Sequence, residues 1–325
     1  MSIIQKIQKY DLRGRGGAEF PVAIKWQGTL KAHQQKPHKP TYVVCNASEG
    51  EPNVTKDMYI LRHFTDEVID GMQIAMDCLD AKKGYIFIKK KNYKLLKEKL
   101  IKVIGDRQIF IFSSDGGYLC GEETTLLQTI EGERREPRLK PPFPTEVGLY
   151  GCPTLVNNVE TFYDVAKIQK DEYKNTRFYS ISGEVKNLGV YELSATMTMG
   201  EILSTTGNDP KFKFFVQVGG GASGEIFTAD ELNVPLHGAG SIIVYNQKKT
   251  KPIKLMKQWI KFFHAENCGQ CAPCREGLYR LDELLKKKEI DWSMVRAILH
   301  TMKDTSLCPL GKSVFYPMIS LLEKI

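Results

Sequence analysis

Long apolar runs are missing from this sequence: no stretch reaches the 18 consecutive apolar residues that a membrane-spanning helix needs. The N-terminus, MSIIQKIQKYDLRGRGG, has no apolar core followed by a small-residue cleavage site, so we expect no signal peptide. Basic helices and aromatic–basic modules typical of nucleic-acid binding are also missing. We therefore expect a globular protein that neither inserts into a membrane nor binds nucleic acid.

Charge is only moderately unbalanced. The 325 residues include 46 Lys and Arg against 38 Asp and Glu, a formal net charge of +8, and 42% are hydrophobic, enough for the cores of two or three domains. Lysines concentrate at Lys89–Lys91 and between Lys248 and Lys257. Such runs indicate either a solvated surface or a docking site for an acidic partner or a phosphate-bearing cofactor.

Cysteine is sparse, and half of the eight cysteines are scattered singly. Cys45, Cys78, Cys120 and Cys152 stand in apolar surroundings. We interpret them as small buried residues of a protein in a reducing compartment, because isolated apolar cysteines are typical of reducing conditions. A cytoplasmic location is therefore expected.

The other four cysteines form a metal-ligand pattern. Cys268, Cys271 and Cys274 recur at every third position of ENCGQCAPCREG, and Cys308, followed by a proline, is the only other cysteine in the C-terminal half. Three thiols at this spacing can occupy three corners of one 4Fe-4S cluster, with the remote cysteine as fourth ligand. Structural zinc is the alternative, although zinc sites usually divide their thiolates into two separated pairs. A disulfide is the least favoured interpretation.

The N-terminal half alternates strands and helices. Strands are predicted at Tyr42–Cys45, Tyr85–Ile88 and Ile109–Ser113, and helices at 65–80 and 92–104. This order implies a parallel sheet with right-handed crossovers. Proteins of this α/β class bind ligands outside the carboxyl ends of their strands.

Two polar loops of this half are candidate ligand loops. LRGRGGAEFPVAIKW has three glycines within residues 14–17 but lacks the third glycine and the preceding strand of a dinucleotide fingerprint, so a plain turn into a helix is an equal alternative. The loop at 46–52 follows the first strand, and its amide and carboxylates suit ribityl hydroxyls or an amide-bearing ring. The same side chains could simply cap the predicted helix at 54–63.

Three further stretches belong to the same half. A glycine-bounded turn at 116–125 leads into a helix and is a further candidate ligand loop, at the same sheet edge as the loop at 46–52. The proline-rich segment at 134–153 is predicted to be irregular and carries Lys140 and Phe143, suited to a phosphate and a stacked base. Asn157–Asn158 then precede an apolar helix, where their amides would contact a ligand or cap the turn.

The C-terminal half differs in character. Residues from about 173 are interpreted as a small α+β domain with strands at Phe178–Val185, Gly189–Leu193, Lys213–Val218 and Ser241–Tyr245, and a helix at Met199–Ser204. Two glycine turns, 219–221 and 238–240, show no catalytic pattern. Four helical patterns, at 253–264, 275–287, 291–302 and 311–324, predict a bundle that encloses the cluster.

Six ordered motifs carry a resemblance over nearly the whole chain: GRGGAEF followed by Lys25 and Trp26, CNASEGEP, YLCGEETTL, RLKPPFP, VNNVET and ENCGQCAPCREG. Together they resemble the NADH-oxidising flavoprotein subunit of respiratory complex I and the diaphorase subunits of NAD-linked hydrogenases and formate dehydrogenases. The resemblance implies FMN, NADH and one 4Fe-4S cluster. It also implies a Rossmann-like α/β domain for FMN and NADH at 1–170, a ubiquitin-like β-grasp domain at 171–248 and a helical cluster domain at 249–325.

The resemblance assigns roles to the matching residues. It implies that FMN is held by Gly14, Arg15, Gly16, Gly17, Lys25, Asn46, Ser48, Glu49, Gly121, Glu122, Asn157 and Asn158. It implies that Glu51 and Glu123 hold the nicotinamide end of NADH as the catalytic pair. Phe20, Lys140 and Phe143 would lie at the adenine and phosphate end.

Three positions depart from the family pattern. Glu19 replaces a glycine and adds a carboxylate beside a site for anionic phosphates, so we expect it to weaken NADH binding by repulsion and Glu19→Gly to strengthen it. Ser48 replaces an aspartate, which removes an acceptor for flavin hydroxyls. Gly28 stands where many members carry an aromatic residue that helps to sandwich adenine.

The resemblance predicts an oxidoreductase, the electron-input subunit of an NADH dehydrogenase of the NADH:quinone oxidoreductase type. Since the sequence has no second cluster motif, the electrons must leave to partners, and the family implies a 2Fe-2S thioredoxin-like subunit and a larger iron–sulfur subunit. The complex would place the chain in a peripheral arm on the cytoplasmic side of a membrane. The alternatives are an FMN and iron–sulfur subunit that exchanges electrons with ferredoxin or flavodoxin, and a non-redox scaffold with zinc or no metal.

Overall fold

Two units make up the chain in the computed structural model, which describes residues 1–324. The first unit comprises Met1–Gly50 and Thr55–Phe178, and the second comprises Glu51–Val54 and the chain from Tyr179 onward. The finer division into three domains, with boundaries after residues 170 and 248, stays a prediction.

The first unit contains seven helices and four strands within the described residues. They are α1 (Ile3–Lys9), α2 (Val22–Gln35), β1 (Tyr42–Ala47), α3 (Lys56–His63), α4 (Thr65–Cys78), β2 (Lys83–Lys89), α5 (Lys90–Ile104), β3 (Ile109–Ser114), α6 (Glu123–Glu131), β4 (Thr154–Asn158) and α7 (Val159–Gln169). Short 3₁₀ turns at Tyr118–Gly121 and Leu149–Gly151 precede α6 and β4.

A four-stranded sheet in the order β3-β2-β1-β4 is the centre of the first unit, and all its strands run parallel. This confirms the predicted parallel, Rossmann-like sheet. Val44 on β1 packs in a cluster with Leu126 and Leu127 of α6, so α6 covers one face. Because side chains alternate along a strand, Val43 and Cys45 face the opposite side, where α4 and α7 contact β1.

Strand β4 is not among the strands that the sequence predicts. Its five residues, TLVNN, follow a proline-rich loop, and a run this short with two asparagines carries little strand signal. It pairs with β1 so that Asn46 lies opposite Asn158. Parallel pairing therefore brings the carboxyl ends of the two strands to one edge of the sheet.

Polar side chains cap the N-termini of two helices of the first unit. Glu122 caps α6 by accepting from the amides of Thr124 and Thr125 at 3.0 and 2.9 Å. Asn158 caps α7 by accepting from the Glu160 amide at 3.0 Å. Both caps satisfy amides that a helix N-terminus leaves without partners, so two of the predicted ligand residues also fix helix starts.

A second sheet, in the order β6-β5-β9-β7-β8, lies in the second unit. Its elements are β5 (Thr176–Gly183, whose first three residues belong to the first unit), β6 (Gly189–Ser194), α8 (Met199–Thr205), β7 (Phe214–Val218), β8 (Glu225–Thr228) and β9 (Ser241–Asn246). The sheet is mixed, since β5 and β9 run parallel while β7 is antiparallel to both β8 and β9. Met199, Ile202 and Leu203 of α8 pack into its core.

Helices complete the second unit: α9 (Pro252–Glu266), α10 (Ala272–Lys286), α11 (Trp292–Thr305), α12 (Pro309–Ser313) and α13 (Phe315–Lys324). The first three confirm the predicted patterns. The prediction of one helix over 311–324 is wrong, because the helix is interrupted between Ser313, the last residue of α12, and Phe315, the first residue of α13. Pro317 lies in the first turn of α13, where it has no amide to continue the hydrogen-bond ladder from α12. Within residues 1–324, no helix combines the length and apolarity needed to cross a membrane.

Gly71 is required where α4 crosses α7. A Cβ added there would lie 1.9 Å from the Phe162 carbonyl oxygen, so we expect Gly71→Ala to separate the helices and lower the free energy of unfolding. Overpacking of this kind typically destabilises by about 1–3 kcal/mol. Gly28→Ala in α2 is the matched control, since its nearest heavy atoms lie at 3.9 Å and alanine favours a helix. Urea unfolding of both variants measures the difference, and equal stabilities would contradict the crossing contact.

Candidate functional site

The glycine loop is closed on itself and fastened to α7. The Gly14 amide donates to the Phe20 carbonyl at 3.0 Å, and Arg13 pairs with Pro21 in a β-bridge. The Arg15 amide donates to Thr161 Oγ1 at 3.0 Å, and Arg15 Nε donates to Asp164 Oδ2 at 3.0 Å. The buried Arg15 side chain therefore holds the loop from inside the protein.

Asn158 lies against the middle of this loop. A Cβ added at Gly16 would be 3.4 Å from Asn158 Cβ, an ordinary but close contact. Asn158 Nδ2 donates to Asp57 Oδ2 at 2.6 Å, while its Oδ1 accepts from the Glu160 amide. The amide predicted to contact a ligand or to cap a helix thus caps α7.

Asn46 joins the end of β1 to the turn before α6. Its Nδ2 donates to the Gly121 carbonyl at 2.8 Å, and its Oδ1 accepts from the Ser48 amide at 3.1 Å. A Cβ at Gly121 would be 3.3 Å from the Ser48 carbonyl, so only a glycine allows these two backbones to approach without displacement. The buried Ser48 Oγ has no hydrogen-bond partner among residues 1–324.

Glu49 caps the start of α3. Its carboxylate oxygens accept from the amides of Asp57 and Met58 at 2.9 and 3.4 Å. Burial and the neighbouring Asp57 carboxylate raise the pKa of Glu49 to about 7, against the opposing effect of Lys56 and of the two amides.

A buried charge network, which the sequence patterns do not predict, underlies these loops. Lys56 Nζ lies 2.6 Å from Asp57 Oδ1 and 2.9 Å from Glu160 Oε2, and all three side chains are buried. Arg15 Nε lies 4.0 Å from Glu160 Oε1. The sequence does carry one sign of this network. Two acidic residues, at 160 and 164, lie one helical turn apart among the large apolar residues of α7, and charges in such a setting indicate buried ion pairs.

A second ionic cluster involves the candidate residues Lys25, Glu122, Glu123 and Lys140. Lys25 Nζ donates to Glu123 Oε2 and to the Val156 carbonyl, both at 2.9 Å. Lys140 Nζ bridges Glu122 Oε1 at 2.8 Å and Glu123 Oε1 at 3.0 Å. Burial alone would raise the pKa of Glu123, but Lys25 and Lys140 outweigh it and lower that pKa to about 2.

The rings of Phe20 and Phe143 are exposed, whereas the Asn157 side chain is buried. Phe20 and Phe143 are each 51% exposed, so both rings are accessible to a planar ligand. Asn157 is buried, and with its amide oriented to satisfy both neighbours it accepts from Trp26 Nε1 and donates to the Val156 carbonyl, each at 3.0 Å. Asn157 thus holds α2 against β4 and presents little surface to a ligand.

Glu51 is in the second unit and contacts a glycine turn there. Its Oε2 accepts from the Ala222 amide at 2.9 Å and the Ser223 amide at 3.3 Å, and its Oε1 accepts from Ser223 Oγ. A Cβ at Gly220 would lie 2.5 Å from Glu51 Cδ, so the turn needs glycine at this point. The turn, which shows no catalytic pattern in the sequence, therefore binds a carboxylate that is predicted to contact NADH.

Glu19 has a charged partner. Arg177 Nη1 donates to Glu19 Oε1 at 3.3 Å, and the Arg177 side chain is only 4% exposed. This pairing offsets the carboxylate charge on which the expected repulsion of NADH is based.

The four C-terminal cysteines come together. Burial first, and then the neighbouring thiols of Cys271, Cys308 and Cys268, raise the pKa of Cys274 to about 12. Cys268 and Cys271 lie in the loop before α10, Cys274 lies in the first turn of α10, and Cys308 immediately precedes α12. Within residues 1–324, no three or more His, Cys, Asp or Glu side chains are arranged to bind a single metal ion.

Comparison with known proteins identifies the chain. Residues 7–167 match the Nuo51 FMN-binding domain, and residues 254–325 match the NADH-ubiquinone oxidoreductase-F iron-sulfur binding region. The F subunit of the NADH-quinone oxidoreductase of Aquifex aeolicus is 34% identical over 99% of this chain and 84% of its own length. The corresponding F 2 subunit of Rhizobium meliloti is 33% identical over 88% of this chain and 76% of its own. The chain belongs to the NADH-quinone oxidoreductase-F family.

A solved structure agrees with this membership. The NAD+-reducing [NiFe]-hydrogenase in its H2-reduced state contains a chain that superposes with a TM-score of 0.89 at 28% identity. The match covers 99% of this oxidoreductase-F homologue and 60% of the hydrogenase chain, so it spans less than two thirds of that longer chain. The resemblance to complex I flavoprotein and hydrogenase diaphorase subunits, inferred from the six motifs, is thereby confirmed.

The residues present fit the two groups that the family domains bind. Around the glycine loop, the buried hydroxyl of Ser48 has no partner in the described chain and is suited to a hydroxyl-bearing ligand such as FMN. At the C-terminal end of this oxidoreductase-F homologue, four neighbouring thiols supply the donor set of a 4Fe-4S cluster.

Acid stability tests the pairing of Glu123. A carboxyl whose folded-state pKa is depressed stabilises the fold above its unfolded pKa, here 4.5, and loses this contribution as the pH falls through the folded value of about 2. The shift corresponds to about 3 kcal/mol. We therefore expect the free energy of unfolding to fall from about pH 5 to about pH 2, and to fall less steeply in Glu123→Gln. Urea unfolding across this range measures both slopes, and parallel slopes would contradict the two-lysine pairing.

Proposed function

We propose that this chain is the NADH-accepting flavoprotein subunit of an NADH-quinone oxidoreductase-type complex, and that electrons leave it through a cluster held by its C-terminal cysteines. The observation that carries the proposal is the combination of an FMN-binding domain and a four-thiol site in one chain. When bound, FMN supplies an acceptor for the hydride of NADH, and the 4Fe-4S cluster supplies a one-electron acceptor.

FMN would be held at the carboxyl edge of the parallel sheet. Asn46 donates to the Gly121 carbonyl, Gly121 lies close to the Ser48 carbonyl, and Asn158 packs against Gly16 of the glycine loop. Several predicted FMN residues already have protein partners: Arg15, Glu49 and Asn157 are buried in contacts that hold the loops in place. Their proposed role is therefore to position the backbone that contacts the cofactor.

The nucleotide end would be formed by the second ionic cluster and the two exposed rings. Phe20 and Phe143 are accessible for stacking on adenine, and Glu123 is held ionised by Lys25 and Lys140 to accept hydrogen bonds from the nicotinamide end. Lys140 would reach a phosphate only by exchanging its two glutamate partners. Glu51 stays a predicted NADH contact, and its carboxylate accepts from the amides of Ala222 and Ser223.

The predicted domains belong to the same proposal. The mixed five-stranded sheet with α8 packed against it supports a ubiquitin-like β-grasp domain at 171–248, which follows the α/β domain in the chain and precedes the helical cluster domain. Cys268, Cys271, Cys274 and Cys308 would hold the cluster. Partners would be a 2Fe-2S thioredoxin-like subunit and a larger iron–sulfur subunit, in a peripheral arm on the cytoplasmic side of a membrane.

A spectral titration tests the electron donor. The protein, reconstituted anaerobically with FMN and iron–sulfur cluster and assembled with its partners, should lose its flavin absorbance on addition of NADH, because hydride transfer reduces the bound flavin. Reduction by dithionite without any response to NADH would favour the alternative in which ferredoxin or flavodoxin is the electron partner. If neither flavin absorbance nor a cluster signal can be reconstituted, only the non-redox scaffold survives.

The fourth cluster ligand has its own test. We expect Cys308→Ser to abolish or strongly reduce the paramagnetic signal of the reduced cluster, because a 4Fe-4S cluster needs a thiolate at each corner, while bleaching of the flavin by NADH persists. Cys78→Ser is the matched control, since Cys78 lies half-buried at the end of α4 in the other unit. A full-strength signal in Cys308→Ser would remove this cysteine from the ligand set.

A further inference from the structure

Glu19 holds an unfavourable backbone conformation within the glycine loop. Its φ is +50°, in the left-handed region that glycine adopts freely and other residues adopt at a cost of about 1 kcal/mol or more. The strain lies one residue before Phe20, whose carbonyl accepts from the Gly14 amide and closes the loop. A side-chain contact that stabilises this conformation is therefore expected.

Arg177 provides that contact. Its Nη1 donates to Glu19 Oε1 at 3.3 Å, and the two side chains are 4% and 29% exposed, so the pair is shielded from water on the arginine side. Charge-assisted hydrogen bonds of this kind are stronger when screening by solvent is limited.

The same arginine belongs to the buried network. Arg177 acts on Glu160 as a third nearby cation, beside Lys56 and Arg15, and together they lower the pKa of this carboxyl against the opposing effect of its burial. Glu160 Oε1 also accepts from the Phe178 amide at 2.8 Å, next to Arg177 in the chain. Glu19 is thus linked through one arginine to the carboxylate on which the network converges.

Three attachments therefore hold the loop to one network. Arg15 is bound by Asp164, Gly16 packs against Asn158, and Glu19 is bound by Arg177. The first two hold the beginning of the loop, and the third is a side-chain attachment at its end. Without Glu19, the end of the loop would keep its backbone bond to Gly14 and lose its side-chain attachment.

We propose that Glu19 is a positioning residue, which holds the glycine loop ready for the flavin by pairing with Arg177. The inference rests on the proposed FMN site in the first unit. Binding to a loop already held in its bound conformation avoids the ordering penalty that a mobile loop would incur. Glu19 then promotes binding of the flavin, in contrast to the repulsion of NADH that its charge alone suggests.

The test compares Glu19→Gly with Glu19→Gln and with Asp80→Gly. Asp80 is the matched control, because it also has positive φ, at +48°, and an ion pair, with Lys82 at 2.6 Å, but lies on the surface away from the loop. FMN affinity is measured by quenching of flavin fluorescence in FMN-free protein. We expect Glu19→Gly to weaken it roughly 3- to 10-fold, Glu19→Gln to fall between this variant and the parent, and Asp80→Gly to match the parent.

Amide hydrogen exchange supplies a readout without any cofactor. In FMN-free protein, peptide 13–20 should exchange faster in Glu19→Gly than in the parent, and should be unchanged in Asp80→Gly. Unchanged FMN affinity together with tighter NADH binding in Glu19→Gly would overturn the proposal in favour of simple repulsion. Equal losses in Asp80→Gly and Glu19→Gly would also overturn it. Failure of the parent protein to bind FMN at all would instead refute the proposed function.

Discussion

The first unit depends on the pairing of the Glu160 carboxylate, which has no exposed surface, with cationic side chains. A buried carboxylate is strongly destabilising unless it is paired, and here Arg15, Lys56 and Arg177 share that function. These three cations come from the glycine loop, the start of α3 and the start of β5. Each cation also has a carboxylate partner of its own, so loss of one cation would leave Glu160 less well compensated while the other pairs remain.

This arrangement explains why so many residues of the proposed cofactor site face inward. Arg15, Glu49 and Asn158 direct their hydrogen bonds to α7, α3 and Asp57. What remains for a ligand is backbone, the Ser48 hydroxyl and the exposed rings. Hydrogen bonds that fix these loops in advance would reduce the freedom lost when a cofactor binds, so more of the contact energy would appear as affinity.

Local patterns in the sequence predict part of this structure. Apolar runs at 42–45, 85–88 and 109–113 indicate the parallel sheet, because a buried strand must be apolar along its length. The spacing of Cys268, Cys271 and Cys274 indicates the donor set. The charge network cannot be predicted in this way, because its ion pairs join residues far apart in the sequence, such as Arg15 and Asp164. A local sequence pattern does not show which distant charged residue will lie beside a given side chain. The same limit leads to the expectation of repulsion at Glu19, whose partner lies 158 positions away.

At the proposed nucleotide end, ion pairing changes how the charged side chains would act on a bound nucleotide. Lys25 and Lys140 would attract the phosphates of a dinucleotide if they stood alone, and Glu122 and Glu123 would repel them. Joined as they are, at distances of 2.8 to 3.0 Å, the four side chains have no net charge. Attraction by net charge at this end is therefore weak, and recognition must depend on where hydrogen-bond acceptors and stacking rings lie. In the proposed nucleotide site, Glu123, which two lysines keep ionised, would accept a directional hydrogen bond from a nicotinamide amide.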